Sequence, residues 1–423
     1  MRNASVWARL LGVERTVVVS VEFDAGEQVV VCHVRPVKAE RGRCGACRRR
    51  CGGYDQGGGR RRWRALDLGT VRAVVEADAP RVRCPEHGVV VAAVPWARHG
   101  AGHTRYFDDT VAWLAVTSSK TAVCQLMRIA WRTAGSIITR VCADVDAVTD
   151  RLAGLRRIGI DEISYKKGHK YLTVVVDHDS GRLVWAAPGR DRATLGRFFD
   201  ALGPERCALI THVSADAADW IADVVTARCP AAVRCADPFH VVKHATDALD
   251  EVRRQVWNQA RRTSPSISKG RGHRIAAGQA RALKHARWAL WKNPENLTGN
   301  QRAKLDWIAK TSPALYRAYL LKEGLRHVFK VKGDEGKQAL DKWLAWAQRS
   351  RIEAFVALGR NLKRYRAQID ATLDCGLSNA LIESTNTKIR LITRIAFGFK
   401  DPAALIALAM LSLGGYRPPL PGR

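Results

Sequence analysis

Three acids stand far apart in the chain, Asp161 in IGIDEISY, Asp216 in HVSADAAD and Glu383 in SNALIESTNTKIR. If they meet in space they form a site for hard divalent cations. Carboxylate oxygens suit Mg2+ or Mn2+, and two such ions about 3.5–4 Å apart can activate an attacking oxygen and stabilise a leaving one at a phosphodiester. Clustered carboxylates repel one another, and the cations offset that repulsion. Glu162 adjoins Asp161, but consecutive strand side chains point to opposite faces, so Glu162 is expected to hydrogen-bond elsewhere. Asp237, in CADPFHVVKHA, is the rival for the second acid. His240, three residues on, either packs at the start of the next helix or supports the site.

A second constellation, Cys44-x-x-Cys47 with Cys84-x-x-His87, has the spacing of a structural zinc site. Zn2+ takes four sulfur or nitrogen ligands in a tetrahedron, and two short-spaced pairs on separate turns supply them with little strain. Its binding energy then replaces a core that so short a segment cannot build. Cys51 competes with Cys47 and His87 as a ligand, while His99 and His103 read as exposed loop histidines. With eleven cysteines, an odd number, a disulfide framework is not expected, and Cys124, Cys142, Cys207, Cys229 and Cys375 read as core filler.

Both constellations need elements to hold them. Residues 16–37 read as a hairpin around Asp-Ala-Gly ahead of the cysteines. Residues 105–146 offer three short helices with a Thr-Ser-Ser break, a helix-turn-helix pattern whose recognition helix would be residues 133–141. Arg132, Thr133 and Arg140 would then face DNA; an ordinary three-helix linker fits the same periodicity. From residue 157 the order is β-β-β-α-β-α-β, that of a ribonuclease-H-like mixed sheet, in which strand one lies beside strand four and brings Asp161 towards Asp216. Beyond Asp237 only helical patterns follow, read as an all-helical insertion whose tryptophan pairs Trp288/Trp291 and Trp343/Trp346 pack in its core. Glu383 lies on a returning helix where Asn379, Glu383, Asn386 and Arg390 fall at i, i+4, i+7 and i+11 as one polar stripe, suited to a metal site or to a solvated face. The expected organisation is a multidomain α/β chain: a β-rich zinc head (1–100), helix-turn-helix (101–150), first catalytic part (155–245), helical insertion (246–375) and a last catalytic part with the glutamate (376–423).

Lys and Arg number 70 against 40 Asp and Glu, a net +30 over 423 residues, and 47% of residues are apolar. A folded chain this basic wants a polyanion. Double-stranded DNA ranks first because each neutralised phosphate releases counterion; no lipid-anchor pattern or membrane-length apolar run is present. The first twenty residues lack a signal-peptide core, so a cytoplasmic protein is expected.

The blocks IGIDEISYKKGHKYLTVVVD, ADPFHVVKHATDALDEVRR and SNALIESTNTKIRLITRIAFGFKD, together with the cysteine head and helical trio, resemble the insertion-sequence transposases of the ISL-three family over nearly the whole chain. The resemblance implies a DDE catalytic domain with Asp161, Asp216 and Glu383 as its triad. It makes Asp237-Pro-Phe-His240 an Asp-x-x-His element; on the polar stripe, Asn386 is read as a supporting residue and Arg390 as a DNA contact. His87 stands where the family pattern has a cysteine. A transposase of this kind would bind terminal inverted repeats, cleave the 3′ ends and join them to target DNA, as a homodimer or larger assembly. Two other readings remain: a DNA-binding regulator with an inactive catalytic domain, and a structure-specific nuclease.

Overall fold

A computed structural model describes residues 3–215, 218–262 and 281–421. The chain divides into two compact units, Met1–Arg151 with Lys388–Arg423, and Leu152–Thr387. The stretch expected as one piece, 376–423, is thus shared between them.

In the first unit β1 (Thr16–Asp24) and β2 (Val29–Pro36) form the expected hairpin. The strands β3 (Gly52–Asp55), β4 (Arg60–Arg64), β5 (Arg72–Asp78), β6 (Arg81–Cys84) and β7 (Gly88–Val91) complete two sheets, ordered β1-β2-β5-β4 and β3-β6-β7. Ala73, Val75 and Ala77 alternate inward along β5, as a half-buried strand requires, and pack with Trp63 and Trp96, whose rings meet edge to face at 5.5 Å. Three helices follow, Arg105–Thr117, Lys120–Met127 and Trp131–Val148; Thr104 and Ser119 cap the first two through their hydroxyls. Arg128, in the left-handed conformation (φ 52°), closes the second helix and opens the short turn to the third. The apolar helix Pro402–Leu413 packs against the first and third of them.

The second unit holds a five-stranded sheet of β8 (Arg157–Lys166), β9 (Lys170–Asp177), β10 (Leu183–Pro188), β11 (His212–Ala215) and β12 (Val233–Cys235), ordered β10-β9-β8-β11-β12. The pairs β8/β9 and β9/β10 are antiparallel; β8/β11 and β11/β12 are parallel. Strand one therefore lies beside strand four. Helices Arg192–Leu202 and Asp219–Arg228 cover one face, where Leu195, Phe198 and Ile221 meet Ile158, Ile160 and Val213. Among the described residues no strand lies between Cys235 and Ala380. The helices there share a core of their own, reached from Pro238–Arg262 by Val241, Ala245, Leu249 and Val252, a stripe at helical spacing. Trp343 is buried in that core and donates to the Leu321 carbonyl at 2.7 Å, but Trp288 and Trp346 are exposed, contrary to the expected packing. Among the described residues no helix is long and apolar enough to cross a membrane.

Candidate active site and zinc centre

Ile158 and Ile160 of β8 enter the helix-covered core, so Asp161 projects from the other face of the sheet. Its Oδ1 accepts the Glu162 N–H at 2.7 Å, and its Oδ2 accepts Asn386 Nδ2 at 2.6 Å, a bond between residues 225 positions apart. Asn386 is 2% exposed and sits on the helix Ala380–Ile395, three residues after Glu383, which is exposed. Residues three apart share a helix face, with Cβ atoms about 5–6 Å from each other. The structure therefore brings the glutamate's helix onto the strand of Asp161. Among the described residues Asn386 Oδ1 is buried without a hydrogen-bond partner, a hard acceptor beside a carboxylate that fits a hydrated divalent cation. Strand β11 ends at Ala215, in register with Ile160, while Asp216 lies outside the described residues. Glu162 pairs with Arg190 at 2.7 Å.

The run AAVRCAD suggests a fifth strand closed by Asp237, but the strand does not reach it. That strand stops at Cys235, and Asp237 instead caps the helix Pro238–Arg262, accepting from His240 N at 3.2 Å and His240 Nδ1 at 2.8 Å on Oδ2. Its Oδ1 takes the N–H of Asn379 at 3.1 Å. Burial alone would raise its pKa, but the hydrogen bonds from His240 and from the Asn379 and His240 backbone outweigh it and hold the carboxyl below its ordinary range.

The third helix of the trio is longer than the expected residues 133–141. Ala134, Ile137, Ile138 and Val141 bury one face, and Arg132, Ser136 and Thr139 line the exposed one, with Thr133 half-buried. Arg140 turns inward and donates to Asp108 at 3.0 Å. Asp108 is fully buried, and Arg98 bridges Asp109 and Asp144 beside it. No periodicity argument marked Asp108, because one acid in RYFDDTVAW looks the same whether it faces water or an arginine. Arg390 is exposed.

In the head the four ligand atoms of Cys44, Cys47, Cys84 and His87 lie within 4.8 Å of one another. Cys47 and Cys84 sulfurs are 3.8 Å apart, and His87 Nδ1 is 3.6 Å from Cys84 and 3.9 Å from Cys44. A tetrahedron with Zn–S of about 2.3 Å and Zn–N of about 2.0 Å has edges of about 3.5–3.8 Å, so the quartet fits zinc. A hydrogen bond with His87 draws the Cys84 thiol down to about 6, favouring the thiolate that zinc needs. Each pair sits on a turn: Cys44 accepts from Arg48 N and donates its own N–H to Arg49, and Cys84 ends β6 just before His87. Cys51 stands outside the quartet, its thiol directed at the Arg49 carbonyl at 3.3 Å. His99 is exposed as expected, but His103 is not a loop histidine in water: it is stacked on Phe107 at 4.8 Å. Arg60 and Arg62 of β4 pair with Glu76.

Residues 158–409, more than half of the chain, match the ISL3 model described as a transposase. Residues 92–142 match the helix-turn-helix domain of transposase family ISL3, and residues 40–87 the zinc finger of transposases IS204/IS1001/IS1096/IS1165. The chain is 66% identical over its full length to 98% of the transposase for insertion sequence element IS1557 of Mycobacterium tuberculosis, in strains CDC 1551 and H37Rv. It is 28% identical, over 81% of each chain, to the transposase for insertion sequence element IS1001 of Bordetella parapertussis. A helix-turn-helix, a cysteine–histidine zinc ribbon and a mixed sheet with a returning glutamate helix are thus matched segment by segment, and the chain belongs to the ISL3 family of insertion-sequence transposases.

Proposed function

We propose that this DNA transposase binds the terminal inverted repeats of its element and carries out metal-dependent 3′-end cleavage followed by strand transfer, with Asp161, Asp216 and Glu383 as ligands of two Mg2+ or Mn2+ ions. The observation that carries the reading is the hydrogen bond to Asp161 on the central strand from Asn386, which lies three residues after Glu383 on the same helix. The strand order, three antiparallel then two parallel, is what a ribonuclease-H-like sheet requires and further supports it. When bound, the ions would supply the positive charge that favours an attacking oxygen and offsets charge on the leaving one. The chain's own part is orientation. Asn386 fixes one Asp161 oxygen, and Asp237 fixes the entry of the glutamate helix. The zinc head and the exposed face of the third helix, with Arg132 and Thr133, hold the repeat, and Arg390 adds a backbone contact. Arg140, paired with Asp108, helps keep that helix in place. Joining needs two ends held together, hence a homodimer or larger assembly.

Asp161→Ala, Asp216→Ala and Glu383→Gln should each abolish nicking and joining of labelled end duplexes with Mg2+ or Mn2+, while end binding persists. A wild-type protein that binds ends but never cuts them would make the chain a regulator; cutting without joining would make it a nuclease.

A further inference from the structure

Glu383 reaches its place through two linked contacts that begin at Asp237. The Asp237 Oδ1 holds the N–H of Asn379 at 3.1 Å, and the carbonyl of the same Asn379 receives the N–H of Glu383 at 2.8 Å, the bond that opens the glutamate helix. The other Asp237 oxygen is bound twice by His240, so the carboxylate is anchored to the first turn of the insertion's leading helix. The surrounding junction is closed by Thr372 Oγ1 donating to the Ala236 carbonyl at 2.7 Å and Ala236 N to the Gln368 carbonyl at 3.1 Å. Asp237 is 6% exposed, and Asn379 is 1% exposed. A carboxylate that accepts three hydrogen bonds while buried has little capacity left for a cation.

The geometry points to Asp237 as a positioning residue: it sets where the glutamate helix begins, and thereby where Glu383 stands relative to Asp161, without itself holding metal. Asn386 is the second fixed point, seven residues further along the helix from Asn379, and Glu383 lies between the two. The insertion is in this way coupled to the site, because His240 belongs to its first helix. The inference rests on the reading of Glu383 as a cation ligand.

Single-turnover cleavage of an end duplex across a Mn2+ series, with hydrogen exchange over residues 376–387, tests it in the full chain. Asp237→Ala should slow cleavage about a hundredfold, the scale expected for a displacement of about 1 Å at a reacting centre. It should also raise the Mn2+ needed for half-maximal rate and speed exchange of the Asn379 and Glu383 amides, while β8 and β9 keep their protection. Asp237→Asn keeps an oxygen for the Asn379 N–H and should stay within about tenfold of wild type, having lost only part of the hydrogen bonding. Two results overturn the inference: Asp237→Asn as inactive as Asp237→Ala at every Mn2+ concentration, which makes the carboxylate a ligand, or unchanged exchange at the helix start in Asp237→Ala. Should Asp237→Ala lose its circular dichroism spectrum, the Asp237→Asn rate decides alone. A Glu383→Gln variant that still cleaves would defeat the metal-ligand reading, while the exchange result would still report on Asp237.

Discussion

Asn386 meets two demands at once, donating its amide to Asp161 while its oxygen, without a partner among the described residues, is left in a buried place that suits a polar guest. The polar stripe of its helix was legible in the sequence; that Asn379 and Asn386 would be its buried members and Glu383 and Arg390 its exposed ones was not, because periodicity gives a face and not what covers it. His103 makes the same point on a smaller scale. Burial foremost, then the charges of Arg140 and Arg64, push its pKa down to about 4, and Asp108 Oδ1, 3.8 Å from Nδ1, does not reverse this. An unfolded histidine takes up its proton near 6.5, so between about 6.5 and 4 the unfolded state binds protons that the folded state refuses. Stability contributed by this residue is therefore complete above that window and lost as pH falls through it, by about 1–2 kcal/mol since the ring keeps some contact with water. Burial raises Asp108 to about 6, which acts in the opposite sense, so the informative quantity is a difference. The melting temperature of His103→Gln should fall less than that of wild type between pH 7 and pH 4.5; equal falls would show that His103 titrates normally.

The zinc head shows which elements a sequence discloses and which it conceals. Its hairpin and the strands β8 to β10 follow alternation and turn residues, signals local to a few positions. Strands β11 and β12 are shorter than their apolar runs suggest: the helix Pro204–Cys207, begun by its proline, takes up residues ahead of one, and the other ends at Cys235 so that Asp237 can cap. Trp343 and Trp346 share one spacing yet differ in burial, since only the insertion's packing decides which ring turns inward. The Cys44–His87 quartet was legible because two x-x spacings carry their own geometry, whereas Cys51 could be set aside only once its sulfur was located. Metal analysis should find a single zinc per chain in wild type and in Cys51→Ser, and little in Cys47→Ser. Chelation should speed hydrogen exchange across residues 40–95 and weaken end binding while β8 to β10 stay protected; zinc lost from Cys51→Ser but retained by Cys47→Ser would redraw the ligand set.

On the scale of the whole molecule, the first unit is assembled from both ends of the chain. Reading forward along the sequence places residues 376–423 with the catalytic part because they follow the glutamate, but the helix Pro402–Leu413 is apolar on every side and must be enclosed by more than one partner. It finds them in the helix-turn-helix region, against Arg105–Thr117 and Trp131–Val148, with Leu405, Leu408, Met410 and Leu411 buried. Each such side chain removed from water contributes about 1.5–3 kcal/mol, so three or four approach the roughly 5–15 kcal/mol that separates a whole domain from its unfolded state. A fragment of residues 1–151 should accordingly keep its zinc but melt broadly, bind a hydrophobic dye and hold end DNA weakly. Co-expression with residues 388–423 should restore a sharp transition and the affinity. If the shorter fragment alone melts as cooperatively and binds as tightly as the pair, the C-terminal helix is dispensable to the DNA-binding unit, and its burial there serves only to shelter its own apolar surface.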